Sequence, residues 1–314
     1  MEQSVVTGGA EEAAIEVTGV SKWYGDKVAV SDLTFTVGPG VTALLGPNGA
    51  GKSTTLKMLT GQLRPSQGTV RVLGCPVIDN PSLYRRIGLV PEQEELYPFL
   101  NALQFVELAA RLHHVPRARE AARDALQIVD LLDARHRKLG GFSKGMRQRV
   151  KIAQALVHQP QVLFLDEPLA GADPRQRLAL MEVFGKLGEE GRTVLISSHI
   201  LTEVERMGTN VLVIARGKLA AEGNFHQIRA LMHDHPQRVR IKSDDCRALA
   251  AALVLLPGTH SLEIDTDTLV VETTAALDLY HALPGAAQLV GARLHEISAL
   301  DDDLESVFRY LVDG

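Results

Sequence analysis

The sequence predicts an α/β fold: a largely parallel sheet covered on both faces, a helical block inserted between its strands, and a smaller α+β unit towards the C-terminus. Three observations predict it. Unbroken apolar runs such as Val162-Leu-Phe-Leu165 and Val211-Leu-Val-Ile-Ala215 alternate with helical patterns, as they do where strands are buried on both faces. A glycine-rich stretch, Gly46 to Thr54, stands between an apolar strand and a helical pattern. Beyond about Gly223 the segments run β-α-β-β-α-β.

Taken in order, residues 1 to about 14 offer little apolar surface and are expected to form a mobile tail. Short β-type segments follow at 14–18 and 33–37, with Trp23-Tyr24-Gly25 at a turn between them and Trp23 expected to pack. Val41-Thr-Ala-Leu-Leu45 is a strand, the helix after the glycine-rich loop begins near Lys52, and Gly61 is its stop. Strands are expected at 68–73 and 87–90. From Asn101 to Leu132 the pattern is helical: Leu103, Val106, Leu108, Ala109 and Leu112 fit one amphipathic helix, and Ala121, Ala125, Ile128, Val129 and Leu132 another. Helices at 146–157 and 174–187 alternate with strands at 162–165, 193–196 and 211–215.

The C-terminal part reads as a helix at 225–232, a linker at 233–236, strands at 239–241, 260–264, 268–271 and 288–294, and helices at 246–256 and 275–283. That is a ferredoxin-like order. A last amphipathic helix is expected at 304–311. The resulting division is a tail over 1–14, a first domain over 15–223 with its helical subdomain at about 95–157, and a C-terminal α+β domain over 224–314.

Composition excludes several classes of protein. With 33 basic and 38 acidic residues the net charge is −5, so no overall basic surface advertises nucleic acid or anionic lipid. The two cysteines, Cys75 and Cys246, lack the paired spacing of a zinc or redox site and suit a reducing cytosol. The longest apolar run, 248–256, is about half of the ~20 residues that span a bilayer. The N-terminus lacks the basic start and apolar middle of a secretory signal. The chain is expected in the cytosol, with any membrane role coming through a partner.

Gly46-Pro-Asn-Gly-Ala-Gly-Lys-Ser-Thr54 matches G-x-x-x-x-G-K-[ST], and both its flanks fit a phosphate loop. Gly46, Gly49 and Gly51 let the backbone turn tightly, so N–H groups of the loop, Pro47, Asn48 and Ala50 included in its span, can approach an anion. The helix start adds the positive end of its dipole. Lys52 would reach the β- and γ-phosphates and the Ser53 hydroxyl would hold Mg²⁺, with Thr54 nearby. Downstream, Val162-Leu-Phe-Leu165 ends in Asp166-Glu167. Carboxylates at the carboxyl end of such a strand face the crevice where ligands gather. Asp166 is the metal-side residue, and Glu167 is poised to orient or deprotonate an attacking water.

Phe142-Ser-Lys-Gly-Met146 precedes a helix, and Ser143 with Gly145 makes a second anion site there, or else an ordinary N-cap. His199 follows the next apolar strand and could donate to a γ-phosphate oxygen while contacting Glu167. The other ten histidines read as surface or core residues. Tyr24 could supply an aromatic face for adenine or be a plain turn tyrosine.

The order of these stretches resembles an ATP-binding-cassette (ABC) ATPase subunit over residues 15 to about 223. On that resemblance the fold is a P-loop NTPase core with an inserted helical subdomain. Tyr24 matches the adenine-stacking position, GPNGAGKST the Walker A loop, FSKGM the signature sequence, LFLDEP the Walker B strand, Ala170-Gly-Ala-Asp-Pro174 the D-loop, and His199 the switch histidine. The resemblance implies ATP and Mg²⁺ as ligands, with Lys52, Glu167 and His199 catalytic. It also implies a homodimer in which Ser143 and Gly145 of one copy complete the site on the other, with Asp173 at the seam.

Two positions depart from the pattern. Lys144 stands where the family has its second signature glycine. Glu92 occupies the Q-loop glutamine position with Gln93 next to it, so either could face Mg²⁺. These departures and the C-terminal extension are similar to those of subunits driving type 2 export permeases. The implied partner is a transmembrane permease, which would hold the protein at the inner face of the cell membrane. Alternatives are an importer ATPase, or a soluble cassette acting on ribosome or nucleic acid. Against the second stand the single cassette, the absence of heptads and the acidic balance. The C-terminal domain either packs against its twin or senses a ligand.

Overall fold

A computed structural model describes residues 13–93, 96–207, 210–224 and 236–300. The chain divides into two compact units, 1–222 and 223–314. The helices expected at 225–232 and 304–311, and all of the linker except Pro236, lie outside the described residues.

The first unit is built on two sheets. The antiparallel one comprises β1 (Ile15–Tyr24), β2 (Lys27–Val37), β4 (Gln67–Val72) and β5 (Cys75–Pro76), in the order β2-β1-β4-β5. The two β-type segments near the N-terminus are longer than the sequence suggests and pair directly: Trp23 opposes Val28, the turn falls after Tyr24, and Trp23 is 43% exposed rather than packed.

The second sheet has the order β10-β9-β3-β8-β7-β6, with β3 (Gly40–Leu45), β6 (Ile87–Val90), β7 (Val162–Asp166), β8 (Thr193–Ser198), β9 (Asn210–Ala215) and β10 (Lys218–Asn224). The pairs β6–β7, β7–β8, β8–β3 and β3–β9 are parallel.

Every residue of β7 and β8 is buried, which is why these segments read as apolar runs without alternation. The alternation is still present in where the side chains go. Val162 and Phe164 enter a core shared with the antiparallel sheet, where Phe35, Leu44 and Leu56 sit. Leu163 and Leu165 enter the opposite core, beneath the helices, with Val106, Ile152 and Phe184.

The helical block α2 (Ala102–Leu112), α3 (Ala118–Ile128) and α4 (Lys144–Leu156) lies between β6 and β7 in the chain. Asn101 and Gln104 close a reciprocal capping box at the start of α2. Its buried face is Ala102, Leu103, Phe105, Val106, Ala109 and Ala110, rotated from the predicted stripe. Leu108 and Leu112 are exposed instead.

α1 (Lys52–Leu59) follows the glycine loop and ends where Gly61, at φ +72°, donates to Met58 O. α5 (Pro174–Glu189) starts on Asp173, whose side chain accepts from Gln176 N at 2.9 Å, with proline in its first turn. α6 is Leu201–Met207.

In the second unit β11 (Gln237–Ser243), α7 (Cys246–Leu253), β12 (Thr259–Asp265), β13 (Thr268–Thr273), α8 (Ala276–Val290) and β14 (Leu294–Ala299) form an antiparallel sheet of order β12-β13-β11-β14 with two helices packed on it. One expectation fails: residues 288–290 belong to α8 rather than to a strand, and the last strand runs 294–299. The helix expected over 275–283 instead runs on through Pro284, with Leu279, Leu283 and Ala287 buried along one face. The stop is Gly291, in the left-handed region at φ +73°.

Candidate active site

The site begins where β3 ends. Gly46 packs so closely on β9 that a Cβ there would lie 2.4 Å from Ile214 O, which only glycine avoids. Ala50 is buried and accepts from Gly217 N at 3.0 Å, and its own N–H goes to Pro47 O at 3.1 Å. Gly51 adopts φ +111° and offers no side chain to cap α1, so the first-turn N–H groups of α1 have no capping side chain. An anion set against that helix start would receive them.

Lys52 is 6% exposed. Its Nζ donates to Gly46 O at 2.6 Å and Pro47 O at 3.3 Å and lies 3.8 Å from Glu167 Oε1. Burial lowers its pKa, and the nearby carboxylates of Glu167, Asp166 and Glu92 oppose that shift. The ammonium sits at the loop, hydrogen-bonded to two carbonyls and ion-paired with Glu167, where an incoming polyanion would meet it.

Asp166 and Glu167 end β7 with different surroundings. Asp166 is buried, and its Oδ1 accepts from Ser197 Oγ at 2.6 Å. The same hydroxyl accepts from Glu167 N at 2.9 Å. Glu167 is held at φ +48°, a conformation costly for a residue with a side chain and concentrated at functional sites. Its Oε2 is 2.9 Å from His199 Nδ1. Burial raises its pKa, while His199 and Lys52 pull it down and Asp166 pushes it further up. A carboxylate raised in this way is a stronger base than one in water.

Two cavities meet at these residues. One, of about 350 Å³, runs from Tyr24 past Asn48, Gly49, Gly51, Lys52, Ser53 and Thr54 to Glu167. Tyr24 is 52% exposed and carries Lys22 Nζ 5.3 Å from its ring centroid. The other, of about 250 Å³, is lined by Ser53, Glu92, Gln93 and Asp166 together. A hydroxyl, two carboxylates and an amide oxygen are the donor chemistry of a hard divalent cation, so these residues fit Mg²⁺. Both Glu92 and Gln93 line this space.

Ser143 and Gly145 line neither cavity. Ser143 caps α4, accepting from Met146 N at 3.3 Å. Gly145 packs against Gln176 and Gly171, and the Lys144 stem lies across Gly171.

Two contributors escape sequence reasoning. Ser197 ties the two acidic residues together, and Lys151 holds the loop before Glu92, donating to Pro91 O at 2.8 Å. Ser197 had a signal, a hydroxyl ending an apolar strand beside the Asp-Glu strand. Lys151 had none.

A phosphate loop on a parallel sheet, with an acidic pair at the neighbouring strand end and a histidine on one of its carboxylates, defines a P-loop nucleoside triphosphatase. Residues 30–170 match the family described as ABC transporter. Over 307 residues the chain is 35% identical to the daunorubicin resistance ATP-binding protein DrrA3 of Streptomyces coeruleorubidus, covering 96% of each. It is 39% identical to Nod factor export ATP-binding protein I of Burkholderia orbicola over 69% of this chain and 72% of that one. Its fold is similar to the dimeric, ADP- and phosphate-bound post-hydrolysis structure of the cassette MJ0796, with TM-score 0.61, 27% identity, 67% of this chain covered and 98% of that one. The chain belongs to the ATP-binding subunits of ABC transporters, and it is an ATPase. Among the described residues no helix is long and apolar enough to cross a membrane.

Proposed function

We propose that two copies of this chain hydrolyse Mg²⁺-ATP between them and drive a separate membrane permease in the outward direction. The observation that carries the reading is the convergence of Lys52, Asp166, Glu167 and His199 on one crevice. Lys52 and the N–H groups of the loop and of α1 bind the phosphates, and Tyr24 stacks on adenine. Ser53 and Asp166, with Glu92 or Gln93, would hold the cation, which would neutralise charge that develops on the phosphates. Glu167 orients the attacking water and takes its proton. His199 holds Glu167 in place and donates to the γ-phosphate. Little covalent chemistry is asked of the protein, so positioning and electrostatics carry the rate.

Ser143 and Gly145 line neither of the two cavities at Lys52 and Asp166 in their own chain, which supports their use on the partner copy, with Asp173 at the seam. The N–H groups at the start of α4 would then meet the γ-phosphate. Outward transport is supported by the export and resistance functions in the relatives' names. The permease would dock in a groove of about 460 Å³ between the sheet and the helical block, lined by Tyr84, Tyr97, Phe105, His113 and His158 and reaching Pro91. His113 and His158 stack there with centroids 3.7 Å apart. Docking would place the protein on the inner face of the membrane. No nucleic acid enters the reading. The C-terminal unit steadies the dimer.

The test is Glu167→Gln, with ATP binding and turnover measured separately. Binding is expected to persist while hydrolysis stops, and full hydrolysis in the variant would remove Glu167 from the role.

A further inference from the structure

A chain of part-buried polar contacts behind the site has no part in the chemistry described so far. Arg177 Nε donates to Ala172 O at 3.1 Å, and its Nη1 donates to Glu203 Oε1 at 3.1 Å. Glu203 Oε2 accepts from Ser198 Oγ at 3.0 Å, and that hydroxyl in turn accepts from Ile200 N at 3.0 Å. Glu203 and Ser198 are almost fully buried. The contacts thus run from the 170–173 loop, through α5 and α6, to the two residues on either side of His199.

His199 needs such support. Its side chain is 49% exposed, so packing does not fix the ring, and its aim at Glu167 depends on the backbone that carries it. Ser198 and Ile200 are the residues held. Glu203 is the buried partner and Arg177 is about a third exposed; burying the carboxylate costs desolvation, and such a pair is often no more stabilising than an apolar one of the same volume, so stability alone is a weak reason for placing it here. A pair that fixes geometry is a better one.

We propose that Arg177 and Glu203 are positioning residues for hydrolysis, setting His199 on Glu167 according to where the 170–173 loop lies. The inference rests on the reading of Glu167 and His199 given above. At its far end the chain of contacts reaches the start of α4: Ala172 adjoins Gly171, on which the Lys144 stem lies, and Gly145 packs against Gln176, one residue before Arg177. A shift at the helix that serves the partner's nucleotide is therefore linked, within one protomer, to the histidine of its own site.

The experiment is a cycle of ATPase variants in the full-length chain: Arg177→Met, Glu203→Leu, the two together, and each single change combined with His199→Ala. Misplacing a reacting group by about an ångström costs up to ~100-fold, so each single change is expected to lower kcat about ten- to a hundredfold with KM for ATP little changed. On the His199→Ala background neither should lower kcat further, because both act through His199. Glu203→Gln, which keeps an acceptor for Ser198, should recover part of the loss.

Equal losses with and without His199, or a raised KM at unchanged kcat, would overturn the proposal. Should the single variants unfold, the double apolar variant keeps the volume, and wild-type kcat in that protein would equally overturn it. Wild-type kcat in the His199→Ala or Glu167→Gln protein, rather than the low residual rate on which the cycle is read, would instead refute the underlying reading of the site.

Discussion

The first and second units differ in where they bury polar groups. In the first unit Lys52, Asp166, Ser197, Ser198 and Glu203 are all buried and converge on one region. In the second the buried polar residues among those described are Ser243 and Thr273. Each ends a strand and accepts from a backbone N–H two residues on, Asp245 at 3.3 Å and Ala275 at 3.0 Å, as the chain turns into a helix. Burial of that kind serves the fold locally. Convergent burial of charge, with a strained backbone at Glu167, is costly to the fold and marks chemistry.

The comparison breaks if the first unit tolerates losing its buried charge. Lys52→Met should abolish nucleotide binding, with at least about a hundredfold loss of affinity in calorimetry and no turnover, since removing a buried charged partner of an anion costs several kcal/mol. A smaller effect tests the second unit. Leu249 is fully buried there, and Leu249→Ala should cost about 2–5 kcal/mol in denaturant unfolding of that unit. ATP binding by the first unit should stay within a few-fold, and a collapse of both together would show that the two do not behave separately.

Gly46→Ala should cost about 1–3 kcal/mol and weaken ATP binding, because the new Cβ forces the loop off Ile214 O. The readout is thermal melting with and without nucleotide.

A finer effect is a pH dependence. Burial raises the pKa of Glu167, so the folded chain holds its proton more tightly than the unfolded one. Stability from this group is present at low pH and lost as pH rises through the raised value. Glu167→Gln should therefore melt above wild type at neutral pH, with the gap closing on acidification. His158 runs the other way. Burial takes it from the ordinary 6.5 to about 4, so it costs stability as pH falls from 6.5 towards 4, and His158→Gln should flatten that acid slope. The His158 effect is expected to be the smallest, since that ring is partly open to solvent.

How much was legible follows from how local each signal is. The phosphate loop, the acidic pair at the end of β7 and the serine at the start of α4 are each written in a few consecutive residues, and the chain places them on the elements the sequence implies. Lys151, Arg177 and Glu203 acquire their partners across 60 and 26 positions of sequence, and nothing nearby announces them. In the second unit the expected strands 239–241 and 268–271 fall within β11 and β13, whereas the helix expected to end at 283 runs on through Pro284. Its local cost is real, but the buried face of α8 outweighs it. The exposure of Leu108 and Leu112 has a similar origin, since periodicity gives a stripe and only the neighbouring helix decides its rotation.

The two-sided burial of β7 has a consequence for the chemistry at its end. Its side chains sort strictly by parity between two oily compartments, so sliding the strand by a single position would push every one of them into the wrong compartment and turn the acidic tip half a revolution. Asp166 and Glu167 are therefore kept apart by the apolar residues that precede them in β7, and inserting one residue there should abolish ATPase turnover.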